Sequence, residues 1–205
     1  MEELNALDII LTFLKAIKKS RIDSEQIVKG FYNDTEFNIC SAGYLLNQII
    51  RELCVSSEHY LVSKKAKELW DKLTSDDINK YFVGRFIVCD RADNTEVSLY
   101  KGNSKISYKN IKVQKNQKIL YNSIFHNEHI VTIKDIIDEL LKIDNPTQES
   151  VSRILNKIYI CRMLKSENSD IIVHKHRCSL DYKKILENEY ANTKNKQKIE
   201  IYKDN

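Results

Sequence analysis

Apolar residues recur at helical spacing in the first 80 residues and again after residue 130, whereas the middle of the chain has the pattern of strands. Between these regions, segments rich in β-branched and aromatic residues alternate with turn-like stretches, at residues 81–90, 95–100, 106–113 and 118–125. A change of apolar period from helical to alternating predicts a change of secondary structure. The sequence therefore predicts an α+β fold.

The same pattern predicts how the chain is organised. We expect a helical N-terminal region over residues 1–80, an α+β domain with a small central antiparallel sheet over 81–192, and a charged tail over 193–205 that frays. Thr132 can cap a helix that begins at Ile133, and Asn145 before Pro146 can cap the next one. Residues 133–155 are thus predicted to form a helical hairpin.

Composition limits the classes of protein to which the chain can belong. The chain is 42% hydrophobic and 30% charged, as in globular proteins, and its net charge of +4 permits a nucleic-acid partner without requiring one. No apolar run is long enough to span a bilayer, so we expect a cytoplasmic protein without a membrane partner. The five cysteines form no CxxC pair, which argues against a cysteine-bound zinc, and no Gly-rich phosphate loop is present.

A short polar motif, "HNEH" at residues 126–129, follows a strand-like run and precedes the helix predicted from Ile133. Glu128 offers a carboxylate for a divalent metal, and His129 offers an imidazole that can take a proton from water. The ordinary structural explanation is a solvated turn, with Glu128 near the positive end of the following helix. The motif alone does not decide between them.

The surroundings of the motif resemble the HNH, or His-Me finger, nuclease family over roughly residues 118–171. "NEHIVTI" matches the strand that ends in an acid–His pair, and "NKIYICRMLKSEN", residues 156–168, matches the later asparagine, second strand and start of a helix. Thr132 stands where the family often has proline, and Lys165 stands where many members have a last histidine. The resemblance implies a C-terminal ββα-metal-like unit with the helical hairpin inserted.

The resemblance also implies roles for individual residues. His129 is the expected general base, and Asn156 is the catalytic-loop residue that fixes the backbone. Glu128 and Asn168 are the expected ligands of a divalent metal, Mg²⁺ by preference, with Glu167 as an alternative to Asn168. The implied reaction is metal-dependent hydrolysis of phosphodiester bonds in DNA rather than RNA, by an endonuclease of restriction or mobile-element type. A homodimer is compatible with these expectations.

Several further residues are candidates for contact with nucleic acid. The candidates are His126, Lys165, His174, His176 and Arg177. His126 could contact a phosphate or orient Glu128. Three of the residues in "HKHRC" could instead bind a transition metal if that segment is extended. Lysines interleaved with tyrosines over residues 98–122 suit backbone contacts and base stacking, although an ordinary solvated hairpin has the same pattern.

The alternative to a nuclease is a non-catalytic module. The same sheet and helices could bind nucleic acid or another protein, as an inhibitor encoded by a phage or a defence system does. Metal-dependent cleavage of plasmid DNA by the purified protein separates the two functions.

Overall fold

The computed structural model describes residues 6–20, 27–32, 35–55, 59–81, 83–101, 107–172 and 177–203. The helices are α1 (Ala6–Ser20), α2 (Ala42–Val55), α3 (Lys64–Leu73), α4 (Ile133–Lys142), α5 (Gln148–Leu155), α6 (Lys165–Asp170) and α7 (Tyr182–Asn188). The strands are β1 (Ile27–Tyr32), β2 (Thr35–Ser41), β3 (Tyr60–Val62), β4 (Phe86–Cys89), β5 (Thr95–Lys101), β6 (Ser107–Val113), β7 (Gln117–Leu120), β8 (Phe125–His129) and β9 (Ile160–Leu164). The predicted α+β fold is confirmed.

Contacts divide the chain into two units. Unit 1 takes the described residues within 1–58, 131–158 and 176–182, and unit 2 takes those within 59–130, 159–175 and 183–205. The expected boundaries lay at residues 80 and 192. The division differs because α4 packs against α2 and α5 packs against α1, so the inserted hairpin belongs with the N-terminal helices.

Unit 1 contains a strand pair in the region that we expected to be helical. β1 and β2 form an antiparallel hairpin between α1 and α2, and α2 contacts β2. The helices follow the predicted apolar stripes, with Ile10, Leu14 and Leu46 fully buried. Local helical periodicity therefore predicted α1 and α2 but not the hairpin between them.

The helical hairpin forms as predicted, with one change at a helix start. Thr132 caps α4, because its hydroxyl accepts a hydrogen bond from the Asp135 N–H at 3.1 Å. The expected cap of α5 at Asn145 is wrong, since Thr147 caps that helix. Thr147 and Ser150 exchange side-chain and backbone hydrogen bonds in a capping box, which places Pro146 outside the helix.

Unit 2 is built from three small sheets. In the largest, β9 lies between β3, to which it is parallel, and β8, to which it is antiparallel. β4 pairs with β7, and β5 pairs with β6, both antiparallel, so the β5–β6 hairpin is nested between β4 and β7 along the chain. The residues of β4 alternate in burial, with Phe86 59% exposed and Ile87 fully buried.

The core of unit 2 is aromatic at its centre. The rings of Tyr81, Tyr121 and Phe125 surround the indole of Trp70, with centroids 4.9–6.4 Å away in edge-on arrangements. Trp70 is 1% exposed, and its indole N–H donates a hydrogen bond to the Asp76 carbonyl. This cluster lies against one side of β8.

The expected fraying of the charged tail is wrong for its described residues, 193–203. The Lys64 N–H donates to the Glu200 carbonyl and the Tyr202 N–H donates to the Val62 carbonyl, both at 2.8 Å. Ile199 is 5% exposed, and Thr193 is buried as well. An apolar anchor and main-chain hydrogen bonds hold the tail despite its charge.

Candidate functional site

The strands β8 and β9, followed directly by α6, form the part of unit 2 that the sequence resemblance singled out. β8 pairs with β9 in antiparallel register, with Glu128 opposite Cys161 and His129 opposite Ile160. α6 begins at the residue after β9 and contacts both strands. Because opposed residues of an antiparallel pair project to the same side, the register assigns Glu128 and Cys161 to one face. The order strand, strand, helix is the order that the sequence predicts.

Glu128 is paired with His126 on that face. The two residues are two positions apart in β8, so their side chains project to the same side. The His126 Nε2 atom lies 3.3 Å from the Glu128 carboxylate, and the side chains are 38% and 18% exposed. His126 is therefore placed to orient this carboxylate, one of the roles open to it from the sequence.

His129 is the last residue of β8 and belongs to the opposite side by strand alternation. Asn127, two residues earlier on that side, accepts a hydrogen bond from the Tyr121 hydroxyl at 2.7 Å. The Nε2 atom of His129 is buried. The structure thus brings His126, rather than His129, into direct contact with Glu128.

A second carboxylate, that of Glu167, is buried on the Glu128 side of the strand pair. One of its oxygens accepts hydrogen bonds from the Ser63 hydroxyl at 2.5 Å and from the Leu164 N–H at 2.9 Å. Glu167 is only 6% exposed, and burial raises its pKa above the ordinary value in spite of these two bonds. The carboxylate thus joins α6 to the N-cap of α3 and to the end of β9.

The thiol of Cys161 lies within electrostatic range of both carboxylates. Burial raises its pKa well above the ordinary value, and the charges of Glu167 and Glu128 raise it further. A thiol with a raised pKa is poorly nucleophilic, because the thiolate is the reactive form. Cys161 is therefore not suited to attack a substrate.

The donor groups on this face include a carboxylate, which is the kind of ligand that a divalent cation prefers. Mg²⁺ binds through one or two carboxylates and keeps several of its waters, so a carboxylate such as Glu128 is a fitting ligand. Asn168 lies in α6, where the sequence expected the second ligand, next to the buried Glu167. Among the described residues, no group of three or more His, Cys, Asp or Glu side chains is placed to hold a metal ion.

The other predicted site residues are more widely distributed. Lys165 begins α6 in unit 2, and its N–H donates to the Ile124 carbonyl. Asn156 ends α5 in unit 1, where its N–H donates to the Ser152 carbonyl. His174 and His176, expected to contact nucleic acid, lie outside the described residues.

Arg177 lies in acidic surroundings in unit 1. It is 9% exposed, and its N–H donates to the Asp135 carboxylate at 3.1 Å. A cavity of about 530 Å³ beside it is also lined by Asp138 and Glu139, with Lys142 as a further cation. This set of charges is a poor match for the phosphate contact that the sequence suggested for Arg177.

Sequence reasoning missed Ser63 and Arg162, which hold the site from two sides. Ser63 bonds to Glu167 across 104 residues of chain. Its sequence signal was the position before "KKAKELW", where its hydroxyl caps α3 by accepting from the Ala66 N–H. Arg162 had no such signal, because a cation inside an apolar run contradicts the pattern of a buried strand.

Comparison of the chain with family models, with curated proteins and with solved structures gives no match. In the part of the chain that the structure describes, every helix is too short or too polar to cross a membrane. Function is therefore inferred from the residues of the site.

Proposed function

We propose that the protein is a metal-dependent nuclease that hydrolyses phosphodiester bonds in DNA, with β8, β9 and α6 as its catalytic unit. The observation that carries the proposal is the order of these elements, with the Glu128–His129 pair at the end of β8 and α6 packed on the strand pair. This is the arrangement expected from the resemblance to the His-Me finger family. The proposal explains why Glu128, a partly exposed carboxylate, lies in this sheet. A sheet that only stabilises the fold does not need a carboxylate at this position.

In this proposal Glu128 and Asn168 hold the divalent cation, which supplies Lewis-acid stabilisation of negative charge on the phosphate. His126 orients the Glu128 carboxylate through their 3.3 Å contact. His129 takes the proton from the attacking water. The buried Nε2 atom of His129 has to reach water for this role, and catalytic contacts of this kind often form only when substrate binds.

A non-catalytic nucleic-acid-binding module is the second candidate. It is favoured by the six lysines of residues 95–118, whose charge suits a phosphate backbone without any need for cleavage. The two functions differ in whether Mg²⁺ produces broken phosphodiester bonds.

The test measures cleavage of plasmid DNA and of labelled RNA with Mg²⁺ and with EDTA. We expect His129→Ala to lower the rate by about 10²–10⁴-fold, the usual contribution of a general base. We expect Glu128→Ala to weaken metal binding, so that additional Mg²⁺ partly restores the rate. His126→Ala should shift the Mg²⁺ requirement in the same direction but less. The exposed residues His59 and Glu187 provide matched controls, as His59→Ala and Glu187→Ala.

Two results would contradict the proposal, the first for the nuclease function and the second for the residues assigned to it. Absence of metal-stimulated cleavage of either nucleic acid by the wild-type protein leaves the binding module as the function. Cleavage that persists in both His129→Ala and Glu128→Ala places the catalytic centre elsewhere, and His174 and His176 are then the next residues to replace.

A further inference from the structure

The segment from the start of β5 to Lys118 in β7 carries a larger net positive charge than the entire chain. Residues 95–118 contain six lysines and one glutamate, a net charge of +5, whereas the entire chain has a net charge of +4. Removing this segment would leave a chain with a net charge close to zero. A local field of this kind attracts polyanions even when the whole protein is only weakly basic.

The two faces of the β5–β6 ladder differ in polarity. Val97 and Val113 are buried in the core of unit 2. The other face carries the cross-strand pairs Tyr100–Tyr108, Ser98–Asn110 and Glu96–Lys112. The Ser98 hydroxyl donates to the Asn110 side-chain oxygen at 2.7 Å, which fixes the middle of this outer face. An aromatic pair thus stands at one end of the face, and the Glu96–Lys112 pair stands at the other.

Tyr108 presents its ring to solvent. It is 59% exposed, and its centroid lies 6.2 Å from that of Tyr100 at an interplanar angle of 46°. Tyr100 is half-buried, so the inner ring supports the outer one. An exposed aromatic ring that is held by a neighbour is suited to stack with a nucleic-acid base, because little side-chain freedom remains to be lost.

Tyr100 also connects this face to the candidate catalytic unit. A hydrogen bond joins its side chain to that of Ser166 in α6, and Asp170 at the end of α6 is within electrostatic range. Lys165 and Asn168 lie in the same short helix. A strand of nucleic acid stacked on Tyr108 would therefore lie next to the helix that carries the proposed second metal ligand.

We propose that the outer face of β5 and β6, with Tyr108 as its stacking residue and Lys112 as a phosphate contact, binds single-stranded nucleic acid beside α6. This inference rests on the proposed nuclease function, because it identifies the form of substrate that the catalytic unit receives. Bases in a single strand are accessible for stacking, whereas those in a duplex are already stacked on one another. The face therefore selects single strands over duplex.

The experiment measures fluorescence anisotropy of a labelled oligothymidylate, of its oligouridylate counterpart and of a duplex, each about 20 nucleotides long so that one binding site is covered. EDTA is present, so binding is measured without cleavage. Tyr108→Ala removes the ring and Tyr108→Phe retains it. Tyr44→Ala is the matched control, since Tyr44 is 56% exposed on α2 in the other unit. Urea unfolding midpoints verify that the variants are folded.

We expect Tyr108→Ala to weaken single-strand binding by about 5- to 150-fold, the equivalent of one stacked base at about 1–3 kcal/mol. Tyr108→Phe and Tyr44→Ala should bind as tightly as the wild type. Lys112→Gln should reduce the slope of log K against log salt by about 0.7, the value for one phosphate contact in a single strand. The affinities for oligothymidylate and oligouridylate then show whether the protein prefers single-stranded DNA or RNA.

The proposal is overturned if Tyr108→Ala binds single strands as tightly as the wild type, if Tyr44→Ala loses as much affinity, or if the duplex binds more tightly than the single strands. Cleavage with Mg²⁺ is then measured for the same variants. Binding that depends on Tyr108 without any cleavage sustains this inference and removes the nuclease function. Cleavage that is unchanged in Tyr108→Ala sustains the nuclease function and removes this inference.

Discussion

Arg162 offers a quantitative test of how the candidate catalytic unit is held in place. It lies in the middle of β9 and is 1% exposed. Its guanidinium donates hydrogen bonds to the carbonyls of Ile78 at 2.7 Å and Asn79 at 3.2 Å, and also to that of Tyr81. The Tyr60 ring lies 4.2 Å from the guanidinium carbon. Arg162 thus ties β9 to β3 and to the turn after α3.

Replacement of Arg162 by Ala should destabilise the protein strongly. Three backbone carbonyls lose a charged donor, and each buried carbonyl without a donor costs about 1–3 kcal/mol. Release of the buried cation from its desolvation penalty offsets part of this cost. Three such costs, less this offset, lead us to expect the free energy of unfolding to fall by about 3–5 kcal/mol. Arg162→Lys should be intermediate, because an ammonium lacks the forked geometry.

The assay is urea unfolding followed by tryptophan fluorescence. Trp70 is the only tryptophan of the chain and lies in the core of unit 2, so its emission reports on the unit that contains Arg162. Arg91→Ala is the matched control, since Arg91 is an exposed residue of the same unit. If Arg162→Ala and Arg91→Ala unfold at the same urea concentration, the carbonyl cage does not stabilise the fold and the reasoning is wrong.

Two further predictions concern Glu167 and Thr132. The pKa of Glu167 is raised in the folded state, so its contribution to stability is present below its ordinary value of 4.5 and is lost as the pH rises through the folded pKa. Glu167→Gln does not titrate and can keep the capping hydrogen bond, so it should exceed the wild type in stability near neutral pH and not at acidic pH, as measured by urea unfolding. Thr132→Ala should lower the free energy of unfolding by about 1 kcal/mol, because α4 loses its N-cap, whereas Thr132→Ser should keep it.

Each of these two predictions has a result that would contradict it. A stability difference between Glu167→Gln and the wild type that is the same at all pH values would show that the carboxyl does not titrate differently on folding. Equal circular-dichroism unfolding curves for Thr132→Ala and the wild type would show that the Thr132–Asp135 bonds do not stabilise α4.

Elements with local signals were predictable from the sequence. α4 has an apolar face and a capping threonine within one stretch of chain, and both are as predicted. The β1–β2 hairpin also had a local signal, since Asn33 and Asp34 separate two runs rich in apolar residues. The helical pattern on both sides is the stronger signal, so the sequence predicts helices there and not the hairpin.

The strand β9 was ambiguous because its pattern contains no alternation. "ICRML" is buried at its first four positions, so neither face is polar. A strand in the middle of a sheet with both faces covered has this pattern, and so does a buried helix. The pairing of β9 with β3 and β8 decides in favour of a strand, and that pairing joins residues too distant in sequence for any local pattern to reveal.

The candidate site was predictable only in part, for the same physical reason. The motif at residues 126–129 identified Glu128 and His129 as neighbours, but adjacency in a strand places them on opposite sides. His126 contacts Glu128, and Ser63 bonds to Glu167 from a distant part of the chain. Convergence of this kind depends on strand register and helix packing, which a single sequence does not encode in its local periodicity.

The polar groups on the two faces of the β8–β9 pair have different surroundings. On one face, Arg162 has carbonyl partners for its charge, and Asn127 has a hydroxyl donor, so these groups stabilise the fold. On the other face, Glu128 and Glu167 both act on Cys161, and burial raises the pKa of Glu167. The proposed roles are thus divided between the two faces, because Glu128 would hold the metal on one face and His129, the proposed base, lies at the strand end on the other.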